Sequence, residues 1–197
     1  MKILHATDPH FVKPWYDYLL SIEKDYDVVC ISGDLVDGND PKGIDYQIKQ
    51  VETMLQCFKK PLFVCSGNHD VGLAYDEYWL EDVVGVFGDN SVHTLNGITF
   101  GSAPCLNPQY ATFSNCDILL SHYPPAYTKA SCDISGGDYG SEKLYNAIAK
   151  GAISPKIILC GHVHHPRKNI CRFKNSVIYN PGCDFKSKIP LINSIEI

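Results

Sequence analysis

Apolar residues in this chain gather into short unbroken runs, and five of those runs stop at residues able to hold a metal ion. Residues 3–7 lead into Asp8-Pro9-His10, Val28–Ser32 into Gly33-Asp34, and residues 62–66 into Gly67-Asn68-His69-Asp70. Ile118–Ser121 ends at His122, and residues 157–160 end at Gly161-His162-Val163-His164. Each run has the length of a buried strand. Ligands of open α/β sheets gather at the carboxyl ends of the strands. The five endings are therefore expected to meet along one sheet edge.

Between the runs the period changes from strand to helix. Residues 15–24 place Trp15, Tyr18, Leu19 and Ile22 on one helical face, and residues 44–58 do the same with Ile44, Ile48, Val51, Leu55 and Phe58. The resulting βαβαβ order predicts a parallel sheet covered by helices. A third helix is expected over 75–86, carrying Tyr78, Leu80, Val83 and Val84, and a fourth over 140–149. Residues 91–95 and 98–102 flank Asn96-Gly97, a hairpin turn in which both residues tolerate positive φ. Ile170–Phe173 with 177–179 predicts a second hairpin, and 191–196 a last strand. A mixed sheet pair with outer helices follows, with no linker and no internal repeat. The longest irregular stretch, 123–141, is rich in Pro, Gly, Ser and Tyr. It reads either as a solvated connection or as a substrate loop.

With 197 residues, 45% hydrophobic and 20% charged, the chain fits a single domain over 1–197. A net charge of −5 predicts no broad attraction to nucleic acid or an anionic membrane. It leaves room for a small phosphorylated substrate, because bound divalent cations invert the local field. The apolar run at Met1–Asp8 is too short for a signal-peptide core, and no stretch reaches the length of a membrane span. The nine cysteines are odd in number, form no CxxC pair, and several (Cys30, Cys65, Cys160) sit inside apolar runs. Reduced thiols in a cytoplasmic protein are expected.

The run endings carry carboxylates, imidazoles and an amide oxygen, with no cysteine. That chemistry suits Mn, Fe, Zn or Ni better than Ca²⁺, and argues against a structural zinc site. Residues two apart in an extended segment point the same way, so Asp8 and His10 are expected to face one ion, as are His162 and His164. An aspartate such as Asp34 can bridge two cations, and a pair about 3.5–4 Å apart can activate water for in-line attack at phosphorus.

Asp8-x-His10, Gly33-Asp34-x-x-Asp37, Gly67-Asn68-His69-Asp70, His122 and Gly161-His162-x-His164, in that order, resemble the calcineurin-like metallophosphoesterase superfamily. Asn180-Pro181-Gly182 is similar to a recurring feature of its small, capless, single-domain members. The resemblance implies a four-layer αββα sandwich, two mixed β-sheets flanked by helices, with a dinuclear centre of divalent or mixed-valence transition-metal ions, Mn favoured. Carried over, Asp8, His10 and His164 would bind one ion and Asn68, His122 and His162 the other, with Asp34 bridging. A metal-bridging hydroxide would attack phosphorus. His69 would stabilise the transition state or protonate the leaving oxygen, oriented by Asp70, and Asp37 would support the ligands. Pro9 departs from the apolar residue many relatives carry there, without removing a ligand.

The implied function is a cytoplasmic phosphoesterase, leaning to a phosphodiesterase of small nucleotide-type substrates. A phosphomonoesterase is the nearest alternative. A nuclease similar to the subunit of double-strand-break repair complexes is suggested by the second and third blocks and by Asp40-Pro41. It is disfavoured by the charge and by the presence of only two arginines, Arg167 and Arg172. A scaffold that kept the fold but lost the chemistry ranks last, because every ligand position is filled. Of the remaining histidines, His5 and His93 are expected to be packed or exposed, and His165, pointing opposite to His164, at most to support the ligands or touch substrate.

Overall fold

The computed structural model describes residues 1–38, 43–71 and 79–197. Strands β1 (Lys2–Ala6), β2 (Val28–Ser32) and β3 (Leu62–Cys65) run parallel, joined through helices α1 (Lys13–Ile22) and α2 (Ile44–Leu55). The hairpin β4 (Val92–Leu95) and β5 (Ile98–Ala103) opens a second sheet. It continues through β6 (Ile118–Ser121), helix α3 (Glu142–Ala149), β7 (Ile157–Leu159), and the hairpin β8 (Ile170–Phe173) and β9 (Ser176–Tyr179). The last strand, β10 (Asn193–Glu196), returns to pair antiparallel with β1. The strand orders are β10-β1-β2-β3 and β4-β5-β6-β7-β9-β8, so both sheets are mixed.

Side chains on successive strand residues point to opposite faces, and this sorts the core into three layers. Leu4, Val29, Ile31, Leu62 and Val64 pack outward against Tyr16 and Leu19 of α1 and Val51 and Leu55 of α2. Their neighbours Ile3, Val28, Cys30, Phe63 and Cys65 face inward and meet Phe100, Ile118, Leu120 and Leu159 of the other sheet. Leu119 and Ile158 face the far side, where Leu144 and Ile148 of α3 cover them. Phe63 anchors the middle layer, stacked between Phe87 and Phe100 with both ring centroids 4.6 Å away. Three apolar interfaces make four layers, the expected αββα sandwich.

Local signals account for most element ends. Pro14 lies in the first turn of α1, where its missing N–H costs nothing. The Ser141 hydroxyl caps α3 by accepting from Leu144 N at 3.1 Å. Asn96 and Gly97 both take positive φ in the β4–β5 turn, as their sequence requires. The helix expected over 75–86 is corrected. Residues 75–78 lie outside the described residues, and beyond them only a 3₁₀ turn, Trp79–Glu81, forms. Val84 is exposed, Gly85 turns left-handed at φ +83°, and Gly88 packs its Cα against the Leu80 carbonyl. A helix could not make that close approach. Asp40-Pro41 also lies outside the described residues.

Candidate metal centre

The five ligand-bearing endings lie at the carboxyl ends of β1, β2, β3, β6 and β7, and the fold gathers them at one edge of the sandwich. The segment after β1 is zipped to the segment after β2. Asp8 N donates to the Gly33 carbonyl at 3.0 Å, His10 N to that of Asp34 at 2.8 Å, and Phe11 N to that of Leu35 at 2.9 Å. Asp8, His10, Asp34 and His162 all adopt left-handed backbone, with φ of +52°, +40°, +53° and +64°. Extended pleating is therefore not what turns Asp8 and His10 to one side, as expected from their spacing; a left-handed turn does it. Each such residue costs about 1–3 kcal/mol, a strain that concentrates at functional sites.

Two carboxylates organise the cluster, each with one oxygen tethered and the other presented. Asp8 Oδ2 lies 2.7 Å from the Thr7 hydroxyl and accepts from His162 N at 3.1 Å. Its Oδ1 has no hydrogen-bond partner, and stands 3.4 Å from His164 Nε2 and 3.9 Å from His10 Nε2. Asp34 Oδ1 accepts from His69 N at 2.9 Å. Its Oδ2 faces His122 Nε2 at 3.3 Å and His10 Nε2 at 3.6 Å. The backbone had to be bare for this. A Cβ at Gly161 would collide with Thr7 Oγ1 and Asp8 Oδ2, and one at Gly67 with the Asp34 carboxylate and amide.

His122 has its tautomer fixed. Nδ1 lies 2.9 Å from the Ser32 carbonyl, which can only accept, so Nδ1 carries the proton. In the neutral ring Nε2 then presents a lone pair, with Asn68 Oδ1 at 3.1 Å and Asp34 Oδ2 at 3.3 Å. With the ring neutral, three electron pairs converge, an arrangement relieved either by a proton on Nε2 or by a metal ion. A cation resolves that arrangement, as it does for the orphaned Asp8 Oδ1 and for His10 Nε2, which is likewise buried without a hydrogen-bond partner.

Charges in the cluster respond accordingly. Burial pushes the His162 imidazole down to about 4, helped by nearby His122, and burial also lowers His10, so both offer neutral nitrogens. Burial works against a charged His122, yet the carboxylates of Asp34 and Asp8 carry it up to about 9. The close Asp8 carboxylate raises His164, against its partial burial. Burial alone would raise Asp34, but His122, the His69 N–H and His10 hold it well below the usual carboxylate range.

Potential ligand atoms fall into groups lying within 4.8 Å of one another: Asp8, His10 and His164; Asp34, His122 and His162; and His10, Asp34 and His69. The donor set fits divalent transition metals, being oxygen and imidazole with no thiolate. His69 also packs its ring edge-on to His10 at 4.6 Å and lines a cleft of about 360 Å³ beside it. Asp70 is fully buried. Its carboxylate is occupied by backbone: Oδ1 accepts from Leu35 N (2.8 Å) and Val36 N (3.0 Å), and Oδ2 from Gly67 N (2.7 Å). It ties the β2 ending to the β3 ending. Asp37 sits at the rim of the same cleft, its backbone paired twice with the Gln47 side chain.

Several supporting residues were not legible as such from the sequence. The Ser32 carbonyl receives His122 Nδ1–H and lies 2.9 Å from the Thr7 hydroxyl, so one oxygen steadies both halves of the centre. His5 is buried behind it, its Nε2 2.8 Å from the Ser32 hydroxyl. Burial pushes His5 down to about 3, against the pull of Asp8, which keeps it a neutral packing residue as expected. Phe185 lies over His10 and His164, with centroids 5.3 and 5.4 Å away, and nothing in its local sequence announces it. Asn180 did carry a signal, its Asn-Pro-Gly motif, and the structure gives it a task. Its buried amide lies 3.0 Å from the Gly161 carbonyl and 3.1 Å from that of Val163, while Oδ1 accepts from Gly182 N. Asn180→Ala would take the side-chain donor from the Val163 carbonyl and the acceptor from Gly182 N, leaving the Gly161 carbonyl only the Val163 N–H it accepts at 2.7 Å. Urea unfolding is expected to show a loss of about 2–4 kcal/mol.

Comparison with known proteins gives the family and the fold. The family model for calcineurin-like phosphoesterases matches residues 1–166. No curated protein matches the chain. Among solved structures, TT1561 of Thermus thermophilus superposes with a TM-score of 0.66 at 14% identity, over 99% of this chain and 98% of that one. A structure described as a novel archaeal phosphodiesterase gives 0.54 at 17% identity, over 99% and 100%. The purple acid phosphatase PPD1 of yellow lupin gives 0.57 at 15% identity, over 91% of this chain and 43% of that one. At these identities the likeness is one of fold, and the family model carries the assignment. The chain belongs to the calcineurin-like phosphoesterases, metallophosphoesterases that hydrolyse phosphate esters.

Proposed function

We infer that this protein is a dinuclear phosphodiesterase of small, nucleotide-type esters. The observation that carries the dinuclear reading is Asp34: one carboxylate oxygen lies 3.3 Å from His122 Nε2 and 3.6 Å from His10 Nε2, facing ligands of both groups. Asp8, His10 and His164 would hold one ion, and Asn68, His122 and His162 the other. The donor set suits Mn, Fe, Zn or Ni, and the family resemblance favours Mn²⁺ among them. Bound there, the two ions supply Lewis acidity at the phosphoryl oxygens and a water acidic enough to act as nucleophile. Asp8 and Asp34 hold the donor set through their tethered oxygens. His69, at the edge of the cleft, protonates the leaving oxygen. Asp70 is a positioning residue, fixing the two loops that present Asp34 and Asn68.

Diesters are favoured over monoesters by the shape of the surroundings. One cleft of about 360 Å³ opens beside His10, His69 and His164. A second, of about 380 Å³, opens beside His122 and Tyr123 and contains Lys143. Two clefts reaching different ligand groups give room for two ester arms. Nine free cysteines suit a reducing, cytoplasmic setting, and no helix among the described residues is long and apolar enough to cross a membrane.

The reading is tested with metal-stripped protein reloaded with Mn²⁺, comparing bis-p-nitrophenyl phosphate with p-nitrophenyl phosphate. Mn²⁺-restored activity, greater on the diester, is the expected result. Greater activity on the monoester would move the assignment to a phosphatase, and no activity on either would favour a scaffold. Reloading should also raise stability. A site filled at a hundredfold excess over Kd adds about 2.7 kcal/mol, roughly 5–10 °C in Tm for a chain of this size. Calorimetry before and after stripping checks it.

A further inference from the structure

We propose that Phe185 determines specificity by stacking against a planar aromatic arm of the substrate, such as a nucleobase, beside the metal centre. The inference rests on the phosphodiesterase reading and names a recognition element for it.

Phe185 sits in the loop between β9 and β10, and that loop is fastened at both ends. Cys183 N donates to the His164 carbonyl at 2.9 Å, and Ser187 N to that of Asp184 at 2.9 Å. Trp15 of α1, 1% exposed, donates from Nε1 to the Ser187 carbonyl at 3.3 Å. The indole also lies parallel to the Phe185 ring, at 5.7 Å and an interplanar angle of 4°. His10 and His164 meet the same ring edge-to-face. The ring is thus held before any ligand arrives, and little side-chain ordering is left to oppose binding.

Despite these contacts, 53% of Phe185 is exposed. It lines the cleft of about 360 Å³ together with His10, Val12, His69 and His164. That size lies within the range of small-molecule sites. The fold gains little from leaving so much aromatic surface in water at the mouth of a polar centre. A flat ligand gains from it. Phenylalanine has no hydrogen-bonding group, so it selects arms that are planar and aromatic and reads no base identity. Stacking of this kind tolerates any base and typically strengthens binding about five- to a hundredfold.

The test measures affinity by titration calorimetry on Mn²⁺-reloaded protein, with thymidine 5′-monophosphate and methyl phosphate as probes and metal content followed throughout. The wild type is expected to prefer the nucleotide by about tenfold or more. Phe185→Leu should collapse the preference with metal content unchanged, and Phe185→Tyr should keep it. Equal affinity for the two probes in the wild type, or a preference that survives Phe185→Leu, overturns the proposal. Loss of metal in Phe185→Leu would overturn it too, since the ring would then only shield His10 and His164. The affinities need no turnover. A wild type that binds the nucleotide selectively yet cleaves no diester would sink the phosphodiesterase reading while leaving the stacking in place.

Discussion

Asp34→Asn is expected to empty or weaken both metal positions and lower kcat on a diester by about 10³-fold. The substitution is nearly isosteric, and the Asn side chain keeps an oxygen for the His69 N–H that Asp34 Oδ1 accepts at 2.9 Å. What it removes is the charge, and the oxygen that looks both ways, 3.3 Å from His122 Nε2 and 3.6 Å from His10 Nε2. A replacement at Asp8 should weigh more on the ion held with His10 and His164, because its free oxygen stands 3.9 and 3.4 Å from those two rings. Elemental analysis with kinetics separates the cases. An Asp34→Asn protein that keeps two ions and full activity would end the bridging assignment.

The same variant has a signature in metal-stripped protein. Although burial opposes its charge, His122 is carried from its ordinary 6.5 up to about 9, chiefly by Asp34. A raised folded pKa stabilises the fold fully below about pH 6.5, and that contribution is lost as pH climbs through about 9. Stripped wild type should therefore lose stability across that window, while Asp34→Asn should show a flatter profile. Unfolding at a series of pH values reads the difference independently of catalysis.

The convergence of the candidate donors was legible because each closes a strand whose apolar run is unmistakable, and a sheet gathers strand ends. The runs read one residue too far at Thr7, Ser66 and Cys160, since the ladder stops where the chain begins its turn towards the centre. The left-handed φ of Asp8 and His10 was not legible, because no glycine or asparagine marks it. Neither was the partnership of Trp15 with Phe185, which joins residues far apart in sequence through loop docking alone. Asp70 shows a subtler limit. Its place beside His69 in the motif suggested a catalytic partnership, and the motif gave no sign that three backbone N–H groups would also bind its carboxylate. Spacing along a chain tells which residues are neighbours, and hydrogen-bond geometry tells which one a side chain serves.

His69→Ala carries the second large expectation: metal content retained, with kcat reduced by about 10²–10³-fold on diesters with poor, alkoxide-like leaving groups. The penalty should shrink for p-nitrophenyl esters, whose leaving oxygen needs no proton. This contrast separates a proton donor from a residue that only shapes the cleft, which would affect both substrates alike. The geometry sets up one rival outcome. His69 lies with His10 and Asp34 in a group whose ligand atoms fall within 4.8 Å, so the ring is near enough to bind an ion itself. Were it a ligand, His69→Ala would lower metal occupancy and depress both substrates equally. Proton donation instead predicts two filled positions and a rate deficit that grows with the pKa of the leaving alcohol. A plot of log kcat against that pKa, steeper for the variant than for the wild type, is the result that would assign the ring its role.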